Sequence, residues 1–211
     1  MSNTQDIERR FCKATIETRS DDGEKPVIEG YAAVYNVESD NLGGFVEIIE
    51  PGFFSKVLSD DVRSLWNHND DLVLGRTKSG TLTIEDTNTG LHTVTLPPDN
   101  TWGRDALVSM QRGDVDQMSF AFAVREGGDR WERRADGIMV RTLLPGGAAG
   151  LYDISPVTYP AYPQTSAAVR SKIKQLTEAG QVDNKPDEAQ KPQARMNARK
   201  RQLELMRLKQ R

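Results

Sequence analysis

The chain is organised around the segment Gly113-Asp114-Val115-Asp116-Gln117-Met118-Ser119-Phe120-Ala121-Phe122-Ala123-Val124. Its first half is polar and predicts a turn. Its second half alternates large apolar residues with small ones, which is the period-2 pattern of a buried strand. Ser119 stands where the turn becomes the strand. A hydroxyl held there by a rigid element, and still able to reach solvent, is a candidate nucleophile that requires a base.

Short strand patterns surround this segment on both sides. We predict further strands at 11–19, 27–37, 62–66, 72–75, 81–84, 91–96, 130–134, 138–144 and 151–158, short helices at 53–58 and 101–112, and a glycine-rich loop at 145–150. The dipeptide Asp136-Gly137 is a strong hairpin signal between two of these strands. Many short strands with few helices favour a mainly β (α+β) domain, built as an antiparallel barrel or a barrel-like structure.

The two ends of the chain differ in composition from its body. Residues 1–10 are polar and charged, and we predict that they are disordered. Residues 11–170 form the predicted domain. Residues 171–211 form a basic, partly helical tail, with a flexible linker near 180–193 and a basic amphipathic helix at 194–211.

Charge is distributed unevenly between body and tail. The net charge is −3, but residues 171–211 hold eleven Lys and Arg against five Asp and Glu, so the body is strongly acidic. A basic tail on an acidic body indicates that the tail contacts something acidic, which could be its own body, a partner protein or nucleic acid. We rank nucleic acid last, because the body shows no platform of aromatic and basic residues.

Composition also excludes several classes of protein. No apolar run approaches the ~20 residues that a membrane-spanning helix needs, and no N-terminal signal pattern is present, so we expect a soluble protein with no membrane partner. The single cysteine, Cys12, cannot form an internal disulfide, which suits a reducing cytoplasm. One cysteine and two histidines do not supply a usual structural zinc site. We therefore predict no metal and no cofactor.

A serine nucleophile needs a base within hydrogen-bond reach, because a free hydroxyl is a weak nucleophile at neutral pH. Only two histidines are available. His68 lies at a predicted strand end in the polar cluster Asn-His-Asn-Asp-Asp, where an imidazole can exchange protons. His92 lies on the polar side of an alternating strand. From the pattern alone a surface histidine is the commoner reading of both, and His68 is the stronger candidate.

The third group of a serine-based triad is usually a carboxylate that orients the imidazole. Asp153 is an acid inside the otherwise apolar Leu-Tyr-Asp-Ile-Ser segment, and burying it without a partner would cost several kcal/mol. An outward-facing Asp153 on a solvated strand face is as consistent with the pattern. The fingerprints of other chemistries, such as a P-loop, GxGxxG or the GxSxG elbow, are absent from the sequence.

Read together, six segments in the same order resemble the prohead protease family of tailed bacteriophages, over about residues 11–170. They are Gly30-Tyr31-Ala32-Ala33-Val34-Tyr35, Glu47-Ile48-Ile49-Glu50-Pro51-Gly52-Phe53-Phe54, Leu65-Trp66-Asn67-His68-Asn69, Leu74-Gly75-Arg76-Thr77 with Ser79-Gly80-Thr81-Leu82, Arg112-Gly113-Asp114 through Met118-Ser119-Phe120, and Ser155-Pro156-Val157-Thr158-Tyr159-Pro160-Ala161-Tyr162-Pro163.

This resemblance implies a serine endopeptidase that acts inside the assembling prohead in the host cytoplasm. It implies that the enzyme removes the scaffolding segment from the major capsid protein and cleaves itself. It also implies a closed antiparallel β-barrel with flanking helices, similar to the herpesvirus assemblins. The family's histidine falls on His68 and its serine on Ser119. Its acidic position falls on Asp153, and His92 precedes the serine, unlike the second histidine of assemblins.

Two further expectations concern the surroundings of the enzyme. Oxyanion donors would be backbone N–H groups or a nearby arginine, for which Arg141 is a candidate. A homo-oligomer is possible. The competing function is a non-enzymatic capsid scaffolding protein that acts through its basic amphipathic tail, with Ser119 as a small filler of the strand.

Overall fold

The computed structural model describes residues 6–12, 17–19 and 25–159, together with residue 175. These residues form twelve strands, one α-helix and one short 3₁₀ helix at Thr77–Ser79. The elements are β1 (Glu8–Cys12), β2 (Glu17–Arg19), β3 (Val27–Val34), β4 (Phe45–Ile49), β5 (Arg63–Trp66), β6 (Asn69–Arg76), β7 (Leu82–Asp86), β8 (Gly90–Thr95), α1 (Thr101–Gln111), β9 (Gln117–Val124), β10 (Asp129–Arg133), β11 (Met139–Leu143) and β12 (Ala148–Val157).

The described strands form three hydrogen-bonded sheets. The five-stranded sheet has the order β1-β9-β12-β5-β6, the four-stranded sheet β2-β3-β8-β7, and the three-stranded sheet β10-β11-β4. Most pairs are antiparallel, but β4 with β11 and β5 with β12 are parallel. The mainly β prediction is confirmed. The closed antiparallel barrel is wrong for this part of the chain, because every sheet is open.

The separation into three sheets could not be predicted from the strand patterns. Alternation specifies which face of a strand is buried, not which neighbour the strand pairs with. β3 packs close to β1 and β9, yet its backbone pairs with β2 and β8. Register breaks also interrupt β3 between Tyr31 and Ala33 and β12 between Leu151 and Asp153. Such bulges bend a strand and disrupt its ladder.

β9 lies inside the five-stranded sheet and supplies the centre of the main core. Phe120 and Phe122 are fully buried and pack edge-on against Phe54 and Phe53, with ring centroids 5.6 and 5.8 Å apart. The alternating small residues occupy the other face of β9, which Ser119 shares. The predicted strand is therefore confirmed, and it is buried on both faces.

A second core lies under α1. The buried residues of α1 pack with Leu74 of β6, and the partly buried Trp66 and Trp102 flank this cluster. Asn100 caps the helix by accepting a hydrogen bond from the N–H of Gly103 at 2.8 Å. Through Trp66 of β5 and Leu74 of β6, this second core packs against the β5–β6 hairpin.

Three local predictions need correction. Residues 8–10 belong to β1 and are not disordered, because Glu8 and Arg10 are buried in ion pairs with distant residues. Residues 53–58 form consecutive turns instead of a helix. The predicted loop at 145–150 is shorter, since β12 begins at Ala148.

The Asp136-Gly137 hairpin is confirmed by the antiparallel pair β10–β11.

The predictions for the C-terminal part of the chain lie almost wholly outside the described residues. The predicted basic tail at 171–211, its linker and its helix fall outside the described residues apart from residue 175, and they stay predictions. Within the described residues, no helix combines the length and apolar character that crossing a membrane requires.

Candidate active site

Ser119 is the third residue of β9 and has no solvent exposure. Its neighbours across the sheet are Phe11 of β1 and Ser155 of β12. Its Oγ lies 2.6 Å from Nε2 of His68 and 2.9 Å from the carbonyl oxygen of Arg10. The sequence predicted a serine at the mouth of the strand in reach of solvent, whereas the structure encloses it.

His68 stands on a two-residue hairpin turn between β5 and β6. Trp66 pairs with Asn69, and the two turn residues both have positive φ, 54° at Asn67 and 55° at His68. This is the pattern of a type I′ turn, in which asparagine is common and other non-glycine residues are strained. This turn places the imidazole of His68 next to β9 and β12.

Asn67 ties this turn to the end of β12. Its Oδ1 accepts from the N–H of Thr158 at 2.8 Å, its Nδ2 donates to Oγ1 of Thr158 at 3.1 Å, and its own N–H donates to the carbonyl of Pro156 at 3.0 Å. β12 also holds Asp153. The hairpin tip and the acid are therefore positioned by the same strand.

Asp153 faces the other nitrogen of the imidazole. Its Oδ1 lies 2.5 Å from Nδ1 of His68, and both side chains are only about a tenth exposed, at 10% and 12%. Ser155 donates to the same Oδ1 at 2.7 Å. A carboxylate at Nδ1 favours the tautomer with a proton on Nδ1, which leaves the Nε2 lone pair facing Ser119.

We call this group the site cluster: His68, Ser119, Asp153 and Ser155. The structure thus brings together the three site residues that the sequence predicted, which lie 51 and 85 positions apart from His68. Chemically, the arrangement can transfer a proton from a hydroxyl to an imidazole whose charge a carboxylate then balances.

His92 is not part of this arrangement. It lies in β8 of the four-stranded sheet, where its Nε2 is 3.0 Å from Oε1 of Glu29 and its ring packs on Tyr31 at 5.3 Å between centroids. These contacts are those of a partly buried structural histidine. The preference for His68 over His92 agrees with this placement.

Arg141 belongs to a second buried polar group. We call it the ion cluster: Glu8, Arg10, Glu47, Asp129 and Arg141. Burial opposes the charge of Arg141, but the carboxylates of Glu47 and Glu8 outweigh it and raise the pKa of the guanidinium. Its three nitrogens all donate to carboxylates of the cluster. Four of the five N–H groups of Arg141 therefore donate within the ion cluster, which argues against the sequence prediction that Arg141 is an oxyanion donor.

Arg9 is a different kind of arginine. It stands opposite Ala121, two residues from Ser119 on the same sheet face. Its Nε is buried and has no hydrogen-bond partner in the part of the chain that the structure describes. A buried donor without an acceptor costs free energy unless another group, such as a substrate, supplies the acceptor.

A cavity of about 260 Å³ lies beside Phe120 of β9, and Arg10 and Cys12 also line it. No residue of the site cluster lines this cavity. Burial raises the pKa of the Cys12 thiol, so this cysteine is a poor nucleophile at neutral pH. Among residues 6–12, 17–19 and 25–159, no group of three or more His, Cys, Asp or Glu residues could hold a metal ion.

Comparison with known proteins now adds to this geometry. The family model described as "Caudovirus prohead serine protease" matches residues 14–179. The chain belongs to this family. The family resemblance seen in the six motifs is confirmed.

Two individual proteins are similar to this member of the prohead serine protease family. The "Prohead protease" of Enterobacteria phage HK97 is 28% identical over 168 residues, which are 77% of this chain and 68% of that protein. The solved structure of the bacteriophage T4 capsid assembly protease, gp21, is 12% identical, with a TM-score of 0.40, and the match covers 71% of this chain and 98% of that chain.

Two residues at the site were missed in the sequence. Ser155 lies in the Ser-Pro-Val-Thr-Tyr-Pro-Ala motif, and its period-2 spacing from Asp153 was the available signal that both share a face. Asn67 directly precedes His68 in the Leu-Trp-Asn-His-Asn motif. The tendency of asparagine to adopt positive φ was the available signal for its turn.

Proposed function

We propose that this chain is a serine endopeptidase in which Ser119 is the nucleophile, His68 the general base and Asp153 the residue that orients His68. One observation supports this proposal above all: in a member of a serine protease family, a buried hydroxyl, an imidazole and a carboxylate lie in hydrogen-bond series at 2.6 and 2.5 Å. These are the distances that general base catalysis needs.

The reaction proceeds in two halves. Nε2 of His68 takes the Ser119 proton as Oγ attacks the carbonyl carbon of the peptide, and the C–N bond then breaks as His68 gives the proton to the leaving amine. Water, deprotonated by the same nitrogen, hydrolyses the acyl-enzyme and restores Ser119. Asp153 stabilises the imidazolium that forms in each half.

The substrate approaches across the face of the sheet. β9 has β1 on one side and β12 on the other, so neither edge of β9 is free to pair with a substrate strand. A strand added outside β1 would lie about 10 Å from β9, whereas attack requires roughly 3–3.5 Å. The groups that enclose Ser119 therefore move when a peptide binds.

The tetrahedral intermediate carries a negative oxygen that requires hydrogen-bond donors. Arg9 is our candidate for one donor. In an antiparallel pair its Cβ is about 7–8 Å from that of the diagonal residue, within reach of a long side chain. Its unpaired Nε is available, whereas the guanidinium of Arg141 is occupied in the ion cluster.

The proposed substrate is the major capsid protein precursor, from which the enzyme removes the scaffolding segment inside the prohead, and the enzyme also cleaves itself. The family description and the similar prohead protease of phage HK97 support a role in capsid maturation. The basic tail, whose charge is opposite to that of the body, would serve recruitment to an acidic partner.

Co-expression with the capsid precursor of the same phage tests this function. We expect intact-mass spectrometry to show shortened capsid protein and shortened protease with the wild type, and full-length forms of both with Ser119→Ala. The matched control is Ser64→Ala, which removes another buried serine hydroxyl, one that has no hydrogen-bond partner among the described residues, and should process normally.

Processing by Ser119→Ala would overturn the assignment of the nucleophile. Full-length capsid protein and full-length protease in the presence of the wild type would instead favour the non-enzymatic scaffolding role.

A further inference from the structure

Ser155 is a buried serine that the mechanism above does not use. It has no solvent exposure, its hydroxyl donates to Oδ1 of Asp153 at 2.7 Å, and its Oγ lies 3.2 Å from Nδ1 of His68. We propose that Ser155 is a positioning residue, which holds the Asp153 carboxylate and the His68 ring in the orientation that directs Nε2 to Ser119. This inference rests on the proposed function.

The sheet explains why Ser155 reaches these groups. Ser155 follows Asp153 by two positions in β12, so both side chains lie on one face of the strand. In the antiparallel pair with β9, Ser155 stands directly opposite Ser119. His68 contacts both strands from above, through Nδ1 to β12 and through Nε2 to β9. Three side chains on β12 and the hairpin thus close a triangle beside the nucleophile.

The proton inventory of this triangle has one consistent solution. A serine hydroxyl has one proton and two lone pairs, and an ionised carboxylate only accepts. The Ser155 proton therefore goes to Asp153, and a lone pair of its Oγ faces Nδ1 of His68. Nδ1 then faces two acceptors, at 2.5 and 3.2 Å, which favours a proton on this nitrogen. Nε2 is left as the acceptor for Ser119.

The hydroxyl also restricts the carboxylate. Oδ1 of Asp153 accepts from two side chains, those of His68 and Ser155. Without Ser155 the carboxylate keeps one of these bonds and can rotate away from the plane of the imidazole. A hydrogen bond to a charged group is among the stronger ones, so its loss should slow proton transfer by about tenfold to a hundredfold.

The same bond affects the pH dependence of the reaction. A donated hydrogen bond spreads the negative charge of the Asp153 carboxylate. When Ser155 is removed, the carboxylate keeps a more localised negative charge beside Nδ1 of His68. The acid limb of the reaction should then move to higher pH. Loss of packing alone would not move it.

The test measures phosphonylation of Ser119, which requires the same activated hydroxyl as peptide hydrolysis and does not need the natural substrate. The full-length protein is reacted with a fluorophosphonate probe, which phosphonylates an activated serine with release of fluoride, from about pH 5 to pH 9, the range in which histidine titrates. Two variants change the residue under test: Ser155→Ala removes the hydroxyl, and Ser155→Cys replaces it with a thiol, a weaker donor on a side chain of similar shape. The control is Ser64→Ala, at a buried serine whose hydroxyl has no hydrogen-bond partner among the described residues.

We expect Ser155→Ala to react about tenfold to a hundredfold more slowly, with its midpoint moved to higher pH. Ser155→Cys should lie between this variant and the wild type, and Ser64→Ala should match the wild type. If Ser155→Ala does not fold, Ser155→Cys carries the test.

Two results would overturn the role of Ser155. One is a wild-type rate and midpoint in whichever Ser155 variant folds. The other is a slower reaction with an unchanged midpoint, which indicates packing only. Equal labelling of wild type and Ser119→Ala would contradict the proposed function itself, so the two failures are distinguishable.

Discussion

The site cluster and the ion cluster are both buried, both polar and both linked to β1, yet they are built in opposite ways. In the ion cluster the two guanidinium groups, of Arg10 and Arg141, face the carboxylates of Glu8, Glu47 and Asp129 at 2.6 to 3.0 Å. In the site cluster one hydroxyl proton of Ser119 has two possible acceptors, Nε2 of His68 and the carbonyl of Arg10.

The ion cluster is suited to stabilising the fold, and the site cluster is suited to transferring a proton. Burial opposes the charges of the ion cluster, but the opposite charges and hydrogen bonds outweigh it, and the pKa of both arginines stays above its usual value. No proton moves there. In the site cluster the hydroxyl proton of Ser119 lies between two acceptors, and the imidazole of His68 stands on a strained turn. Arg10 joins the two clusters, with its side chain in one and its carbonyl in the other.

The largest expected effect is the loss of the orienting carboxylate. Asp153→Asn should reduce the rate of fluorophosphonate labelling by about 10⁴-fold, because an amide at Nδ1 favours the wrong tautomer. The matched control is Asp129→Asn in the ion cluster, which should change stability and leave the labelling rate near that of the wild type. Near-normal labelling of Asp153→Asn would assign the third role to another residue.

Loss of Arg141 should break the other cluster. Arg141→Met leaves the carboxylates of Glu8, Glu47 and Asp129 buried with too little positive charge, so we expect the free energy of unfolding to fall by about 3–5 kcal/mol in urea titrations. The folded fraction should still label. Arg130→Met, at an exposed arginine of β10, should change stability by less than about 0.5 kcal/mol. A stable Arg141→Met protein that no longer labels would place Arg141 in the site.

Arg9 lies on β1, as do Glu8 and Arg10 of the ion cluster, but its side chain is on the sheet face of Ser119. Its substitution tests whether it acts with the site cluster. Arg9→Met should lower the labelling rate by about a hundredfold if its guanidinium stabilises the oxyanion. Arg63→Met, on the β5 strand and paired with the exposed Asp61, is the control that should not alter it. Unchanged labelling of Arg9→Met would leave backbone N–H groups as the donors.

The Asn67 turn allows strain and tethering to be separated. Asn67→Gly tolerates positive φ but loses both side-chain bonds to Thr158, and we expect labelling to fall about tenfold. Asn67→Ala adds backbone strain and should be slower and less stable. Asn36 also has positive φ, 57°, but lies away from the site, so Asn36→Ala should lose stability without losing labelling. Wild-type labelling of Asn67→Gly would show that the tether does not position His68.

The smallest effect is expected at an exposed ion pair. A side-chain hydrogen bond from Arg76 is the main cause that lowers the pKa of Asp61 to about 2. Because the folded pKa is below that of the unfolded chain, the pair stabilises the fold above the unfolded value and loses this contribution as pH falls toward 2. Asp61→Asn should therefore be slightly less stable than the wild type near neutral pH, and most of this difference should be lost by pH 2, in thermal melts at low salt. A difference that is undiminished at pH 2 would contradict this.

The sequence alone determined the features that depend on near neighbours. Alternation in the second half of 113–124 predicted β9, and Asp136-Gly137 predicted the β10–β11 hairpin. These predictions succeed because a strand's period, a turn's φ angles and a motif are properties of a few consecutive residues.

Only the tertiary structure decided which distant residues meet. Glu8 and Arg10 looked like part of a disordered end, because their partners Arg141 and Glu47 lie 133 and 37 positions away. The predicted barrel divided into open sheets, since alternation does not name a strand's neighbour. Ser155 acquired its contacts with Asp153 and His68 only when β12 paired beside β9 and the hairpin folded over them. Burial of charge and hydrogen bonding across strands depend on the whole fold, so no local sequence pattern could predict these contacts.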